Sequence, residues 1–257
     1  MPLLFPPADH IPLKHPPLRE VVCQVRFSPI LKIAEGGPVD FQEEIRDRFP
    51  KYNTKHAWQF RLTPGQSPEL MDKEPPLHRF SDKDEVCTVS LGLNFFAVST
   101  TNYQSWMSFA NDLRFVTEKV QRVYKVPYSA RIGLRYINDL NTQSTGLPSL
   151  DPDILDILRP DLIGLLRREE IREPFLALTQ IRSRQEEGEF TFAFGISQLS
   201  GMKEKSFVLD FDRYIEEEIE LDTDDLLRRC DRYHGEIYSA FRWCILENAL
   251  EIFGSTN

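Results

Sequence analysis

The sequence has no long apolar run, no paired-cysteine motif and no excess of positive charge, and each lack excludes something. Its uninterrupted apolar stretches are only a few residues long, far short of the roughly 20 a membrane helix needs, so no membrane span is expected. The four cysteines, Cys23, Cys87, Cys230 and Cys244, form no C-x-x-C pair, which argues against a zinc knuckle or a dithiol redox motif. Each lies in an apolar-patterned segment, so the expectation is buried thiols in a reducing compartment. Acids outnumber bases 40 to 31, for a net charge of −9. A protein built to hold nucleic acid needs Lys and Arg clustered on one face, so nucleic acid is a disfavoured partner, as is a polybasic membrane anchor. No G-x-S-x-G, H-E-x-x-H, P-loop or G-x-G-x-x-G occurs, so no catalytic constellation and no cofactor is indicated. His10, His15, His56 and His78 fall in the arm or in loops without ligand spacing. His234 lies on the apolar stripe of the last helix, where a lone histidine reads as a satisfied core or boundary residue.

What is present is ordinary globular composition, 41% apolar and 28% charged. Residues 1–18 carry prolines at 2, 6, 7, 12, 16 and 17 and no basic leader. They read as an extended arm of polyproline character, not as a secretory signal, and the expected location is the cytoplasm. Residues 19–257 read as a single α+β domain.

Strands are expected where apolar residues alternate, at 20–27, 57–62, 77–80, 86–100, 129–138, 175–184, 189–197 and 206–214. A turn is expected at Gly36-Gly37-Pro38 and a loop over 63–78. A short amphipathic helix is expected over 39–49, a long one over 105–124, and a final one over 224–253 capped by Thr223. Residues 151–168 hold a short helix or two turns split by Pro160. The order reads as two β-α-β-β-β-α halves, about 20–124 and 129–253. The expected architecture is therefore a mainly antiparallel sheet of about eight strands with two long helices on one face.

Period-two alternation separates the two faces of that sheet. Phe190, Phe192, Phe194 and Ile196 share one face with Phe207, Leu209 and Phe211. Thr191, Ala193 and Gly195 share the other with Asp210 and Asp212, and with Arg131 and Arg135 of 129–138. Small residues flanked by two arginines and two aspartates read in three ways: an internally paired, solvated face, a partner interface, or a small-molecule cavity. As strand residues two apart, Asp210 and Asp212 would sit about 7 Å from each other, a spacing that could hold a magnesium ion. Aromatics near strand ends, Tyr103, Trp106, Tyr136 and Tyr214, could line a groove, though with helices on the sheet most are expected in the core or at its rim. The acidic run of Glu216, Glu217, Glu218, Glu220, Asp222, Asp224 and Asp225 reads as a solvated connection with helix capping, or as a docking surface for a basic partner.

Four pieces in order along the chain carry a resemblance: PPLREVVCQVRF at 16–27, Y-x-x-W-x-x-F from Tyr103 through Trp106 to Phe109, GLRYIN at 133–138, and LDFDRY at 209–214. The chain resembles an uncharacterised bacterial family of about this length, sporadically distributed among genomes. That distribution implies accessory cargo such as stress or phage-defence genes; the resemblance brings no activity and no catalytic residues. The functional expectation is a non-enzymatic interaction or sensor protein, self-associating and acting with a protein partner. The alternatives are a small-molecule binding protein with a helix-grip cavity and, last, a metal-dependent phosphoryl-transfer enzyme. The candidate binding residues are Arg131, Arg135, Tyr136, Asp210 and Asp212, with no catalytic residue and no metal site assigned.

Overall fold

The alternating segments do build one large sheet. The computed structural model describes residues 5–34, 37–55, 60–61, 69–70, 76–171, 174, 176–197 and 205–255. Gly36 and His56 lie outside them, as do 63–68 and 71–75 of the expected loop. The sheet strands are β1 (Leu18–Arg26), β2 (Lys51–Lys55), β3 (Leu77–Ser81), β4 (Cys87–Gly92), β5 (Phe95–Thr100), β6 (Arg131–Leu140), β7 (Leu176–Arg184), β8 (Glu189–Ser197) and β9 (Ser206–Ile215). They lie in the order β7-β8-β9-β6-β1-β5-β4-β3-β2. The fold is α+β with a nine-stranded antiparallel sheet. Its main helices are α1 (Val39–Ile45), α2 (Trp106–Tyr124) and α3 (Thr223–Cys244). Among the described residues no helix is long and apolar enough to cross a membrane.

The strand count differs from the pattern for two physical reasons. The apolar run 86–100 is two strands, because the chain reverses at Leu93-Asn94 between Gly92 and Phe95; a turn this short leaves the apolar content of the run unbroken. The strand expected at 57–62 is represented by Phe60–Arg61, which pairs with Glu69–Leu70, and 57–59 and 62 lie outside the described residues. The main sheet instead takes Lys51–Lys55 as its outer strand beside β3. Its KYNTK composition has a single large apolar side chain, and flanking lysines are how exposed edges are protected from stray pairing.

Two compact units divide the chain. One comprises 22–132 and 216–227. Within it β1 lies beside β5, and β4, β3 and β2 follow outward. Phe41 and Ile45 of α1 and Phe109, Leu113, Val116 and Val120 of α2 are buried there, with the Phe41 ring edge-on to Phe80 at 5.6 Å. Ser105 caps α2 by accepting from the Ser108 amide. The other unit comprises 1–21, 133–215 and 228–257. There β6 lies beside β9, followed outward by β8 and β7, so each unit sets its first strand against its last. The units differ from the expected halves in where 20–21, 129–132 and 216–227 fall.

The proline arm packs within the second unit. Ile11 donates its amide to the Tyr238 hydroxyl at 2.7 Å, Leu13 bridges Ser255, and the Phe5 ring lies 5.2–6.1 Å from those of Phe190, Phe192 and Trp243. The final helix is shorter than its apolar stripe. It ends at Cys244 because Ile245 bridges Leu158, and a separate turn, Glu247–Ile252, follows. Its cap is Asp222, whose side chain accepts from the Asp225 amide at 2.8 Å, one residue before the expected Thr223.

Candidate functional site

The β8–β9 register pairs Thr191 with Asp212, Ala193 with Asp210 and Gly195 with Val208. The intervening Phe190, Phe192 and Phe194 are buried, and Phe192 stacks on Phe211 at 4.8 Å. The small residues and aspartates therefore share the face opposite this aromatic layer.

Of the candidate residues, the structure brings Arg135 and Asp210 together. Arg135 grips both oxygens of Asp210, Nε to Oδ1 at 2.8 Å and Nη2 to Oδ2 at 2.5 Å. Those hydrogen bonds, assisted by the nearby charges of Asp210, Asp212 and Glu20, hold the guanidinium above its ordinary pKa. The pair is half exposed on the arginine side, so it contributes little to folding. A double-mutant cycle of Arg135→Gln and Asp210→Asn, read by urea denaturation, is expected to give a coupling of about 0.2–1 kcal/mol. A value several times larger would mark a site organised beyond a surface ion pair.

Arg131 contacts Glu216 at 3.6 Å and Gln24 at 3.5 Å. Tyr136 corrects the expectation of a groove aromatic: it is buried on the opposite face, because its place in β6 is in phase with Ile132 and Leu134. Its hydroxyl lies 2.9 Å from Nδ1 of His234. Burial pushes the His234 pKa down to about 4, helped by the neighbouring His10 and opposed by Asp231.

All four cysteines are buried as thiols. Burial, together with the charges of Asp112 and Asp82, pushes the Cys87 thiol up to about 12, which suits a structural rather than a nucleophilic cysteine. Among the described residues no group of three or more His, Cys, Asp and Glu is placed to share one metal ion.

Two features were not singled out by pattern. The first is a cleft of about 310 Å³ in the unit holding 22–132 and 216–227, lined by Arg26, Phe27, Asn94, Ala130, Arg131 and Glu216. Only the phase of Arg26 with Gln24 on β1 hinted at it. The second is the outer strand β7, which among the described residues pairs only with β8. Leu176, Leu178 and Ile181 on it are 60%, 58% and 48% exposed. Its position depends on Gly195, which has φ of +139°; a Cβ there would lie 1.8 Å from the Ala177 carbonyl oxygen. Glycine is what lets the β7 backbone approach this closely.

Comparison of the chain with protein-family models and with curated proteins gives no match. The functional reading therefore rests on geometry.

Proposed function

We propose that the protein is a non-catalytic interaction module whose outer strand β7 receives an extended segment of a partner protein by strand addition. The observation that carries this reading is the exposure of Leu176, Leu178 and Ile181 along a nine-residue edge strand. Proteins protect such edges with charge, proline or a cover, because an exposed apolar edge recruits other chains. The opposite edge, β2, follows that rule with Lys51. In strand addition the main chain supplies affinity, and alternate side chains supply specificity.

Charge favours a heterologous partner. The β7 sequence, LALTQIRSR, has two arginines and no acid in a chain of net charge −9. A partner segment that alternates aliphatic and acidic residues complements both properties. The expected accessory role beside a protein partner is of this kind.

The test uses nine-residue peptides that alternate aliphatic and acidic residues, with hydrogen exchange as the readout. Such a peptide is expected to slow exchange of the β7 amides, and Leu178→Lys is expected to weaken binding by about tenfold or more. Circular dichroism confirms that the variant folds. No protection of β7 at millimolar peptide overturns the reading. So does a dimer, seen by sedimentation, that Leu178→Lys dissociates, since the occupant would then be a second copy.

A further inference from the structure

We infer that the cleft lined by Arg26, Arg131 and Glu216 is a binding site for a small organic anion carrying a carboxylate or phosphate. The inference is independent of β7, and every lining residue belongs to the unit of 22–132 and 216–227.

The cleft is small. At about 310 Å³ it lies at the lower end of small-molecule sites and holds about ten water-sized groups at roughly 30 Å³ each. It accommodates a compact metabolite and is too small for a peptide chain.

Its chemistry is cationic. The Ala130 amide donates to the Arg26 carbonyl, which sets the end of β1 against the start of β6 and brings both arginines to the same opening. The Arg131 side chain is only 14% exposed, so its charge acts through a medium less screening than water. Arg26 is exposed and makes no ion pair among the described residues. Two guanidinium groups at one opening match the planar, two-oxygen geometry of a carboxylate or phosphate. Phe27 is buried and supplies an apolar wall. The Asn94 carbonyl accepts from the Phe27 amide at 2.9 Å, which holds the β4–β5 turn, and with it the Asn94 amide, at the rim.

Glu216 gives the site its built-in competitor. Its carboxylate sits 3.6 Å from Arg131 while its side chain is 56% exposed. At 3.6 Å the contact is longer than a charge-assisted hydrogen bond, so it is weak. A ligand carboxylate or phosphate takes this place, and Glu216 turns out to water. Its removal should therefore tighten binding, which a purely structural ion pair would not do.

The test is an amide NMR titration of the full chain with inorganic phosphate and, separately, with succinate, at constant ionic strength. Either probe is expected to shift resonances of Arg26, Phe27, Asn94 and Arg131. Arg131→Gln should weaken binding by about tenfold or more and Arg26→Gln by about threefold. Glu216→Gln should tighten it by about threefold, and Leu178→Lys should leave it unchanged, which separates this site from the β7 surface. A response to phosphate alone identifies a phosphate ligand, and a response to succinate alone a carboxylate. Affinity unchanged by Arg131→Gln, weaker binding in Glu216→Gln, an equal response to chloride, or no shift at 20-fold excess of millimolar probe each overturns the inference.

Discussion

Arg213→Met is expected to lower the free energy of unfolding by about 3–5 kcal/mol. Arg213 lies on the aromatic face of β9 with 2% of its side chain exposed. Its Nε donates to Glu236 of α3, and its Nη1 donates to the carbonyl of Glu187 with longer contacts to those of Glu189 and Tyr214. Its guanidinium carbon sits 4.7 Å from the Tyr233 ring centroid. Methionine fills much of the volume but leaves the Glu236 charge with only its longer 3.7 Å contact to Arg232 in a poorly solvated place, and it frees carbonyls at the β7–β8 turn. That turn has no slack: Gly188 has φ of +83°, and a Cβ on it would lie 2.1 Å from the Tyr214 carbonyl oxygen. Urea denaturation measures the loss. The double variant Arg213→Met, Glu236→Leu is expected to recover most of it, because the penalty is the weakly compensated Glu236 charge. A single-variant loss below about 1 kcal/mol would show that water or rearrangement solvates Glu236 freely.

The second large effect is a loss of stability in mild acid through His234. Its pKa is about 4 in the folded protein, against about 6.5 for an ordinary histidine. Between those values the unfolded chain binds a proton that the folded one does not. Stability is therefore fully present above pH 6.5 and is lost as the pH falls towards 4. At about 1.4 kcal/mol per pKa unit, the loss by pH 4 is roughly 3 kcal/mol. Among the groups facing His234 are the Tyr136 hydroxyl, the His10 ring 6.1 Å away and Asp231. The difference between the native protein and His234→Gln isolates the histidine from the carboxylates that titrate in the same range. That difference should shrink steadily from pH 7 to pH 4, and the arm, whose His10 ring lies 4.7 Å from that of Tyr238, should loosen in the same interval. Parallel stability curves for the two proteins would refute it.

How much of this was legible depended on the range of the physics. The faces of β8 and β9 followed from alternation, since a strand's side chains must point to opposite sides. The same rule places Arg213 in phase with Phe207, Leu209 and Phe211, and a charge in that phase was the available signal of a buried network; its partner 23 residues away in α3 was not visible. Tyr136 shows the limit from the other side. Its phase marked it as a core residue, while aromatic type alone suggested a groove. Arg131 and Arg135 are alike in pattern, yet one meets Glu216 and the other Asp210, because which acid comes within reach depends on strand order.

The class of the fold, the buried phenylalanine layer, the helix stripes and the acidic surface follow from the order of residues, because they depend on local periodicity and composition. Long-range packing instead makes Lys51–Lys55 and Leu176–Arg184 the outer strands, lays the proline arm along α3, and brings Arg26, Arg131 and Glu216 to one cleft. Those outcomes depend on which strands become neighbours. Pairing between distant segments is selected by the packing of the whole sheet, which no short stretch of chain encodes.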